Sequence, residues 1–436
     1  MKKFLLSYVF KIISLLIFYL SVLGASSSYA QDHLIDKHII NANSTNGIPQ
    51  AGVASYWDEI VPLKQDYIIV GAGIVGLSTA IEIKKSIPKA RVLVLDGGTL
   101  ASGASTRNAG FACFGSLTEI YEDIVNMGEK SAIDQIKDRW SGLNSLRKEL
   151  GDDNIGFSQT GNYEIISAEL LPLLNHMKKI NNLLKPIFGE DVFVRNDSKI
   201  SQFGLSQKHV SALVFNRFEG KINSGKMMES LQKKALSTGV VIRYGSNALR
   251  PYQEGQYLHL PVKTGSATQN LVFKAKAIAI CVNGFTTNIL PEVDIRPGRG
   301  QILVTESIKD IMLPNAPFHI GKGFWYFRRL DDDRILIGGG RNLNIAQEAT
   351  TDLNITSDIV APLKKMLNTI IIPDKNPKID FAWAGVMGFS RDHRPIIKKL
   401  PNLENVVVGF GCNGMGVARG YDTGKKTAKL LMDSQM

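Results

Sequence analysis

The amino-acid sequence predicts an α/β protein, and three features of one stretch, residues 66–96, support that prediction. An apolar run ends at a glycine that begins the spacing G-x-G-x-x-G, typical of a strand turning into a helix around a nucleotide. An amphipathic segment follows the glycines. A second apolar run then ends at Asp96, about 20 residues beyond the last glycine, where an acid accepts hydrogen bonds from ribose hydroxyls. The stretch is therefore predicted to be a nucleotide-binding βαβ unit.

Each glycine of this unit has its own physical role. Gly71 allows the tight turn, Gly73 lets a pyrophosphate approach the backbone, and Gly76 lets the helix pack closely on the strand. The amides of Ile74 and Val75 begin the helix, where the helix dipole favours phosphate binding. A glycine turn in an unrelated α/β domain is the alternative interpretation.

Length and composition exclude several classes of protein. The 436 residues suggest two to three domains, and 44% hydrophobic residues suffice for a large core. The formal net charge of +11 includes three lysines near the N-terminus, and the other charges are spread out, so a nucleic-acid partner is not predicted. The cysteines are too few and too scattered for a disulfide framework or a metal site, and are predicted to be small buried residues. They are Cys113, Cys281 and Cys412.

Residues 1–30 have the layout of a secretory signal peptide. Two lysines precede an apolar stretch that ends near Leu23, and small polar residues continue to Ala30. This layout predicts an exported protein, periplasmic or facing outward from the inner membrane, rather than a cytoplasmic one. The alternative is an uncleaved membrane anchor within residues 1–25. Residues 31–62 are polar and aperiodic, and are predicted to be a linker.

A second run of small residues, 97–116, follows the acid-terminated strand. A loop of this composition is able to lie flat against a planar ring and to present backbone amides to it. Within it, Ser105, Thr106, Arg107 and Asn108 offer donors to phosphates and ring carbonyls. A flexible surface loop is the alternative.

Three pieces of sequence together resemble the FAD-dependent D-amino-acid oxidase superfamily. They are G-A-G-I-V-G-L-S-T-A from Gly71, V-L-D ending at Asp96, and G-A-S-T-R-N-A-G-F from Gly103. The likeness extends over residues 66–432, and the sequence is most similar to the branch with gamma-glutamylputrescine oxidase and related amine oxidases. The resemblance implies FAD as the cofactor.

The resemblance also implies two domains. A Rossmann-like FAD-binding domain is interrupted by an α+β substrate domain built on a mainly antiparallel sheet. The expected FAD-binding domain comprises residues 63–150, 206–292 and 378–436, and the substrate domain comprises residues 151–205 and 293–377.

Further cofactor contacts follow from the same resemblance. Ala248 corresponds to a position beside the adenine. The apolar strand from Ala275 runs into Asn283 and Gly284, where a glycine permits close approach of the cofactor; a plain core strand is the alternative. A final turn precedes an amphipathic helix whose positive end stabilises charge on the reduced ring. This turn contains Gly411, Asn413, Gly414, Met415 and Gly416.

The resemblance places the substrate pocket against strands within residues 295–342. Tyr326 and Arg328 alternate along one strand, so both are expected to point into the pocket; an exposed Arg328 is the alternative. Relatives bind a substrate carboxylate through an arginine at the position of Met387 and a second at the position of Cys412. Met387 is therefore expected to line the pocket, but it provides no positive charge for a substrate carboxylate.

Two further positions at which this chain differs from relatives concern the flavin. Relatives that attach it covalently have a cysteine where this chain has Gly385, and they place a lysine near the ring where it has Leu336. Non-covalent FAD is therefore expected, and fast use of oxygen is not.

The predicted activity is oxidation of a C–N bond of a small-molecule amine or amino acid, by hydride transfer to flavin N5 and hydrolysis of the imine. The flavin supplies the chemistry, so no acid/base pair is required from the chain. A buried α-carboxylate requires a bidentate guanidinium, and the two arginine positions of relatives hold Met387 and Cys412 in this chain. The expected substrate is therefore an amine, or an amine whose carboxylate lies several bonds from the reacting nitrogen. Oxygen is one possible electron acceptor. The alternatives are a dehydrogenase that reduces a membrane quinone and a non-catalytic FAD-binding protein.

Overall fold

The structure, a computed structural model, describes residues 64–265, 270–373 and 375–435. The predicted signal segment, residues 1–30, and the predicted linker, residues 31–62, lie outside the described residues and stay predictions. The described strands are β1 (Lys64–Val70), β2 (Val92–Leu95), β3 (Phe111–Ala112), β4 (Asn162–Ile166), β5 (Phe193–Arg195), β6 (Ala212–Asn216), β7 (Gly220–Lys221), β8 (Val241–Arg243), β9 (Ser246–Ala248), β10 (Tyr252–Glu254), β11 (Tyr257–Thr264), β12 (Leu271–Ile280), β13 (Arg296–Thr305), β14 (Pro317–Ile320), β15 (Trp325–Arg329), β16 (Ile335–Gly339), β17 (Ile379–Phe389), β18 (Ile396–Lys399) and β19 (Val406–Phe410).

Seven of the eleven described α-helices lie before residue 203, most of them in the segment between β3 and β6. The α-helices are α1 (Ile74–Ser86), α2 (Ala104–Arg107), α3 (Leu117–Met127), α4 (Glu129–Leu150), α5 (Asp152–Ile155), α6 (Met177–Phe188), α7 (Lys199–Gln202), α8 (Ser224–Ser237), α9 (Ile345–Glu348), α10 (Ser357–Met366) and α11 (Gly416–Asp433). Short 3-10 helices span Ala168–His176, Asn283–Asn288 and Arg341–Leu343, and a π-helical turn spans Leu367–Ile371.

The first sheet is built around the predicted βαβ unit. β1 pairs in parallel with β2 on one side and with β12 on the other, and β19 pairs in parallel with β12. α1 connects β1 to β2 and packs so closely on the turn that a Cβ at Gly76 would overlap the carbonyl oxygen of Gly71. The predicted α/β class and the predicted order of strand, glycine turn, helix and strand are confirmed.

Both faces of this sheet are buried. Tyr67 and Ile69 of β1 face one hydrophobic core, which also contains residues of α1, α8 and α11, whereas Ile68 and Val70 face a second core. A parallel sheet covered on both sides takes near-continuous apolar strands, as this sequence has. The carboxyl ends of β1, β2, β12 and β19 consequently meet at one edge, where nucleotides bind in such sheets.

The second sheet has eight strands in the order β17-β13-β16-β15-β14-β4-β6-β5. Its neighbours are antiparallel except for the parallel pair β14 and β4, so the expected mainly antiparallel sheet is confirmed. β6 and β17 pair within this sheet, although both lie in segments that the sequence assigned to the FAD-binding domain. The domain bounds stay a prediction.

All three cysteines are free and buried. Burial raises the pKa of Cys281 to about 12 and also raises the pKa values of Cys113 and Cys412, so the thiols stay protonated at neutral pH. Within the described ranges, no group of His, Cys, Asp and Glu side chains is arranged to hold a metal ion. No helix in the same part of the chain has the length and apolar character needed to cross a membrane.

A buried carboxylate, Glu164, lies beneath the N-terminus of α3. It accepts hydrogen bonds from the hydroxyl of Ser116 at 2.9 Å, from the hydroxyl of Thr118 and from the amide of Thr118 at 3.2 Å. Burial raises its pKa to about 7, against about 4.3 for an exposed glutamate in an unfolded chain. The folded state therefore holds this proton more tightly than the unfolded state does.

We expect this carboxylate to lower the stability of the protein as pH rises. Its contribution to the free energy of unfolding is complete below about pH 4.3 and is lost as pH rises to about 7, because only the unfolded chain releases the proton in that window. Urea unfolding of Glu164→Gln should therefore show a smaller loss of stability between pH 5 and pH 7 than wild type. Glu229→Gln, on the exposed face of α8, is the matched control. An unchanged pH slope in Glu164→Gln would contradict the assignment.

Candidate active site

The turns that follow the parallel strands contact one another at one edge of the first sheet. The amide of Ala72 donates to Asp96 Oδ2 at 2.8 Å, which joins the turn after β1 to the end of β2. A Cβ at Gly71 would lie 2.6 Å from a carbonyl oxygen at the end of β12. The amide of Gly411 donates to Asn283 Oδ1 at 3.1 Å, which joins the turns after β19 and β12. The structure therefore brings these predicted cofactor segments together.

The start of α1 is coupled to the run of small residues after β2. Gly73 caps α1 without a side-chain hydrogen bond. Ser105 Oγ accepts a hydrogen bond from the amide of Ile74 at 3.0 Å and lies 2.9 Å from the position of a Cβ at Gly73. Any side chain at Gly73 would displace Ser105, which explains why this position is a glycine.

Three polar residues of the same run bind the protein's own backbone. Arg107 donates to the carbonyl oxygens of Ser102 at 2.7 Å and Ala384 at 2.8 Å. Thr106 Oγ1 donates to a carbonyl oxygen at 2.6 Å, and Asn108 Oδ1 accepts from the amide of Gly110 at 2.9 Å. These contacts shape residues 103–110 into a turn held against β17. The sequence analysis expected the same side chains to face phosphates and ring carbonyls.

The other predicted cofactor residues lie around the same edge. β9, which ends at Ala248, runs beside the end of β2, where the amide of Ser246 donates to the carbonyl oxygen of Asp96 at 2.8 Å. A Cβ at Gly284 would overlap the carbonyl oxygen of Met387, so the turn after β12 packs directly on β17. Asn413 has a φ of 54° and accepts a hydrogen bond from the amide of Ser390 at 2.9 Å.

One face of the second sheet carries the predicted pocket residues. In the observed register Tyr326 lies opposite Gly338, and Gly338 and Trp383 both lie opposite Ile302. Directly opposite residues of antiparallel strands, and alternate residues of one strand, share a face. That face consists of Tyr326, Arg328, Leu336, Trp383, Met387 and Phe389.

Residues 103–111 lie against this face. The indole nitrogen of Trp383 donates to the carbonyl oxygen of Arg107 at 3.0 Å. The ring of Phe111 packs edge-on against the ring of Tyr326, with 5.5 Å between centroids. The small-residue segment therefore separates the phosphate turn from the pocket face.

Arg328 is on the predicted face, but its guanidinium is already hydrogen-bonded. Nη1 donates to the carbonyl oxygens of Gly110 at 3.2 Å and Ile222 at 3.0 Å. Burial lowers the pKa of Arg328, as expected for a cation that binds dipoles and not a carboxylate. Arg328 thus connects β15 to the small-residue segment, whereas its place on the strand predicted a side chain pointing into the pocket.

Met387 connects the pocket face with the C-terminal turn. Its sulfur lies 3.9 Å from the position of a Cβ at Gly414. Its methyl group lies 3.0 Å, and the hydroxyl of Tyr326 3.8 Å, from the position of a Cβ at Gly300. Burial raises the pKa of Tyr326 to about 12, so its hydroxyl remains a proton donor at neutral pH.

The sequence analysis missed Arg341. This residue follows three consecutive glycines and begins the short helix Arg341–Leu343. Its guanidinium lies over the ring of Phe389, 4.0 Å from the centroid, and its positive charge acts on Tyr326. The G-G-G-R run directly after the strand paired with β15 is the sequence signal that marks it.

Both the sequence and the fold of this chain match known proteins. Residues 66–430 match the family model described as DAO: FAD dependent oxidoreductase. Probable oxidoreductase OrdL of Haemophilus influenzae is 21% identical over 379 residues, which cover 84% of this chain and 83% of that protein. Glycine oxidase from Geobacillus kaustophilus superposes with a TM-score of 0.68 at 17% identity, covering 85% of this chain and 95% of that chain. L-proline dehydrogenase from P. horikoshii superposes with a TM-score of 0.67 at 19% identity, covering 86% and 94%.

The residues at the sheet edge fit FAD. No described atom lies within 4 Å of a Cβ position at Gly103 or Gly416, and only the sulfur of Met387 does so at Gly414. The first amide of α1, on Ile74, donates to Ser105 Oγ, whereas the N-terminal cap of α11 has no side-chain hydrogen bond. Backbone amides beside open space suit a pyrophosphate and a planar ring.

We expect the flavin to be released by acid precipitation. The position at which relatives carry the attaching cysteine is Gly385, and a Cβ there would already lie 3.2 Å from the Cβ of Arg107. Purified protein precipitated with acid should leave its yellow colour in the supernatant. Flavin fluorescence that stays with the pellet, or with the protein band in a denaturing gel, would show a covalent link.

Proposed function

Because the chain belongs to the DAO family of FAD-dependent oxidoreductases, we propose that it oxidises a C–N bond of a small-molecule amine or amino acid. The observation that supports this most is the position of Met387 between the C-terminal turn at Gly414 and the hydroxyl of Tyr326. A substrate bound there would contact the cofactor side of the pocket face. The names of two similar structures, a glycine oxidase and an L-proline dehydrogenase, agree with this substrate class.

When bound, FAD supplies the acceptor, at N5, for the hydride that leaves the carbon beside the substrate nitrogen. The chain's residues bind and orient the substrate and exclude water. Trp383 and Phe111 pack around Tyr326 and provide apolar walls, which favour a substrate with an uncharged amine. Loss of the hydride from the neutral amine leaves an iminium ion, which water hydrolyses to a carbonyl compound and the protonated amine or ammonium.

A dehydrogenase that reduces a quinone is the second candidate for this site. Leu336, on the pocket face and 5% exposed, occupies the position where the resemblance places a lysine in relatives that use oxygen. An apolar side chain there supplies no positive charge for the reduction of oxygen. Export, predicted from residues 1–30, would place such an enzyme beside the membrane quinone pool.

The proposed activity is tested by anaerobic bleaching of the flavin. Purified holoprotein is mixed with a panel of amines and amino acids that includes gamma-glutamylputrescine, because the sequence resembles that branch. At least one compound should bleach the visible flavin bands within seconds to minutes. If none does so while light reduces the flavin normally, the protein is an FAD-binding protein without this activity. Oxygen and a soluble quinone, each added to the bleached enzyme, then identify the acceptor by their rates of reoxidation.

A further inference from the structure

Three consecutive glycines shape the backbone from the end of β16 to Arg341: Gly338 and Gly340 face aromatic rings, and Gly339 packs against the backbone of Phe324 and Trp325. A Cβ at Gly338 would lie 2.6 Å from the ring of Tyr326, and one at Gly340 would lie 2.8 Å from the ring of Trp325. Gly339 and Gly340 have φ values of 111° and 79°, which L side chains rarely adopt. The glycines therefore let the end of β16 pack closely on β15. Arg341 follows them directly and lies near Tyr326.

The guanidinium of Arg341 lies over aromatic rings, and among the described residues it has no hydrogen-bond acceptor or carboxylate partner. It lies 4.0 Å from the ring centroid of Phe389 and 5.4 Å from that of Phe324. A guanidinium over the face of a ring is held by cation–π attraction, which uses none of its N–H donors as hydrogen bonds. Burial lowers the pKa of Arg341, and among the described residues no carboxylate acts to raise it. No protein carboxylate in this part of the chain neutralises it.

Other arginines near the pocket have partners. Arg299 on β13 donates to both carboxylate oxygens of Glu348, at 2.9 and 2.7 Å. Arg328 donates to two backbone carbonyl oxygens. A partly buried cation without a partner costs stability, and a bidentate anion is the ligand that its planar donors fit best.

The position of Arg341 sets the distance between an anion and the reacting centre. Met387 lies next to the predicted cofactor turn at Gly414, and Phe389, over which Arg341 lies, is two residues further along the same strand. Two residues of a strand span roughly 7 Å. An anion bound by Arg341 is therefore several bonds away from a carbon next to Met387 and the turn at Gly414.

We propose that Arg341 binds an anionic group of the substrate, and that the substrate is an amine whose carboxylate is separated from the reacting nitrogen by several bonds. This inference rests on the proposed amine oxidation and specifies its substrate class. It assigns the recognition of charge to Arg341, because the guanidinium of Arg328 is hydrogen-bonded to backbone carbonyl oxygens. α-Amino acids, in which the carboxylate is attached to the reacting carbon, do not reach both points.

The test compares anionic and neutral compounds in wild type, Arg341→Met and Arg341→Lys. Arg334→Met is the matched control, since Arg334 also stacks on a phenylalanine of β17, Phe381, but is paired with Asp332 and Asp380. Binding of non-reactive ω-substituted carboxylates and of their amides is followed by the change in the flavin spectrum. Anaerobic bleaching rates are measured for 4-aminobutyrate, 5-aminopentanoate, the amide of each, glycine and D-alanine.

In wild type the ω-amino acids should bleach the flavin faster than their amides and than glycine or D-alanine. Arg341→Met should weaken binding of the carboxylates by about 10- to 100-fold, the usual range for loss of a charge-assisted hydrogen-bonded pair, and that of the amides by less than about 3-fold. Arg341→Lys should recover part of the affinity, and Arg334→Met should behave as wild type.

Three outcomes would overturn the proposal: equal losses for carboxylates and amides, unchanged carboxylate binding in Arg341→Met, or bleaching by glycine or D-alanine that is faster than by the ω-amino acids. Failure of the proposed activity would look different. In that case no amine bleaches the flavin, while carboxylates still perturb its spectrum in wild type and not in Arg341→Met, which would support the anion site alone.

Discussion

Gly73→Val should yield a folded protein that purifies without bound FAD. The new side chain would occupy the position 2.9 Å from Ser105 Oγ, displace this hydroxyl from the amide of Ile74, and fill the space through which a pyrophosphate approaches the backbone. Because phosphate binding at this helix N-terminus depends on close contact with amides, we expect at least a 100-fold loss of affinity, on the order of 3 kcal/mol.

The measurement is the ratio of visible flavin absorbance to protein absorbance after purification, with far-UV circular dichroism to verify folding. Glu229→Val is the control, because it places the same side chain on the exposed face of another helix, α8, where Glu229 forms an ion pair with Lys233. A Gly73→Val protein with the full yellow colour of wild type would show that the phosphate turn has been assigned to the wrong residues.

Glu348→Ala should lower the free energy of unfolding by about 3–5 kcal/mol, because it leaves a buried guanidinium without its partner. The side chains of Arg299 and Glu348 are each 3% exposed, and Gln301 donates to both oxygens of the same carboxylate at 3.1 and 3.0 Å. Burial opposes ionisation of Glu348, but the hydrogen bonds from Arg299 and Gln301 outweigh it and lower its pKa. The pair holds α9 against β13. It lies on the opposite face of β13 from Gly298 and Gly300, which share a face with the predicted pocket residues.

Urea unfolding of the holoprotein measures this change. The double variant Arg299→Met, Glu348→Leu removes both charges and fills the space, so it should be less destabilised than Glu348→Ala. If the single variant is as stable as the double variant, the ion pair does not hold this part of the sheet.

The nucleotide-binding part of the fold was predictable because its signals are local in the chain. Gly71, Gly73, Gly76 and Asp96 lie within one strand, helix and strand, and each glycine is required by a contact inside that unit. The glycine turn before α11 was found in the same way, since an apolar strand, a turn and an amphipathic helix follow one another directly. Alternation along β15 likewise placed Tyr326 and Arg328 on one face.

The partners of the polar side chains were not predictable, because they come from distant parts of the chain. Arg328 binds carbonyl oxygens 218 and 106 residues away, and Arg107 binds one 277 residues away. Periodicity predicts which side chains lie on the same face of a strand. It carries no information about which hydrogen-bond acceptors pack against that face. For the same reason, β14 and β17 were not recognised as separate strands, since each completes the sheet through pairing with remote segments. Arg341 became a candidate only through the fold, which places Phe389, 48 residues further along the chain, beneath its guanidinium. Among the described residues, no carboxylate pairs with its N–H donors.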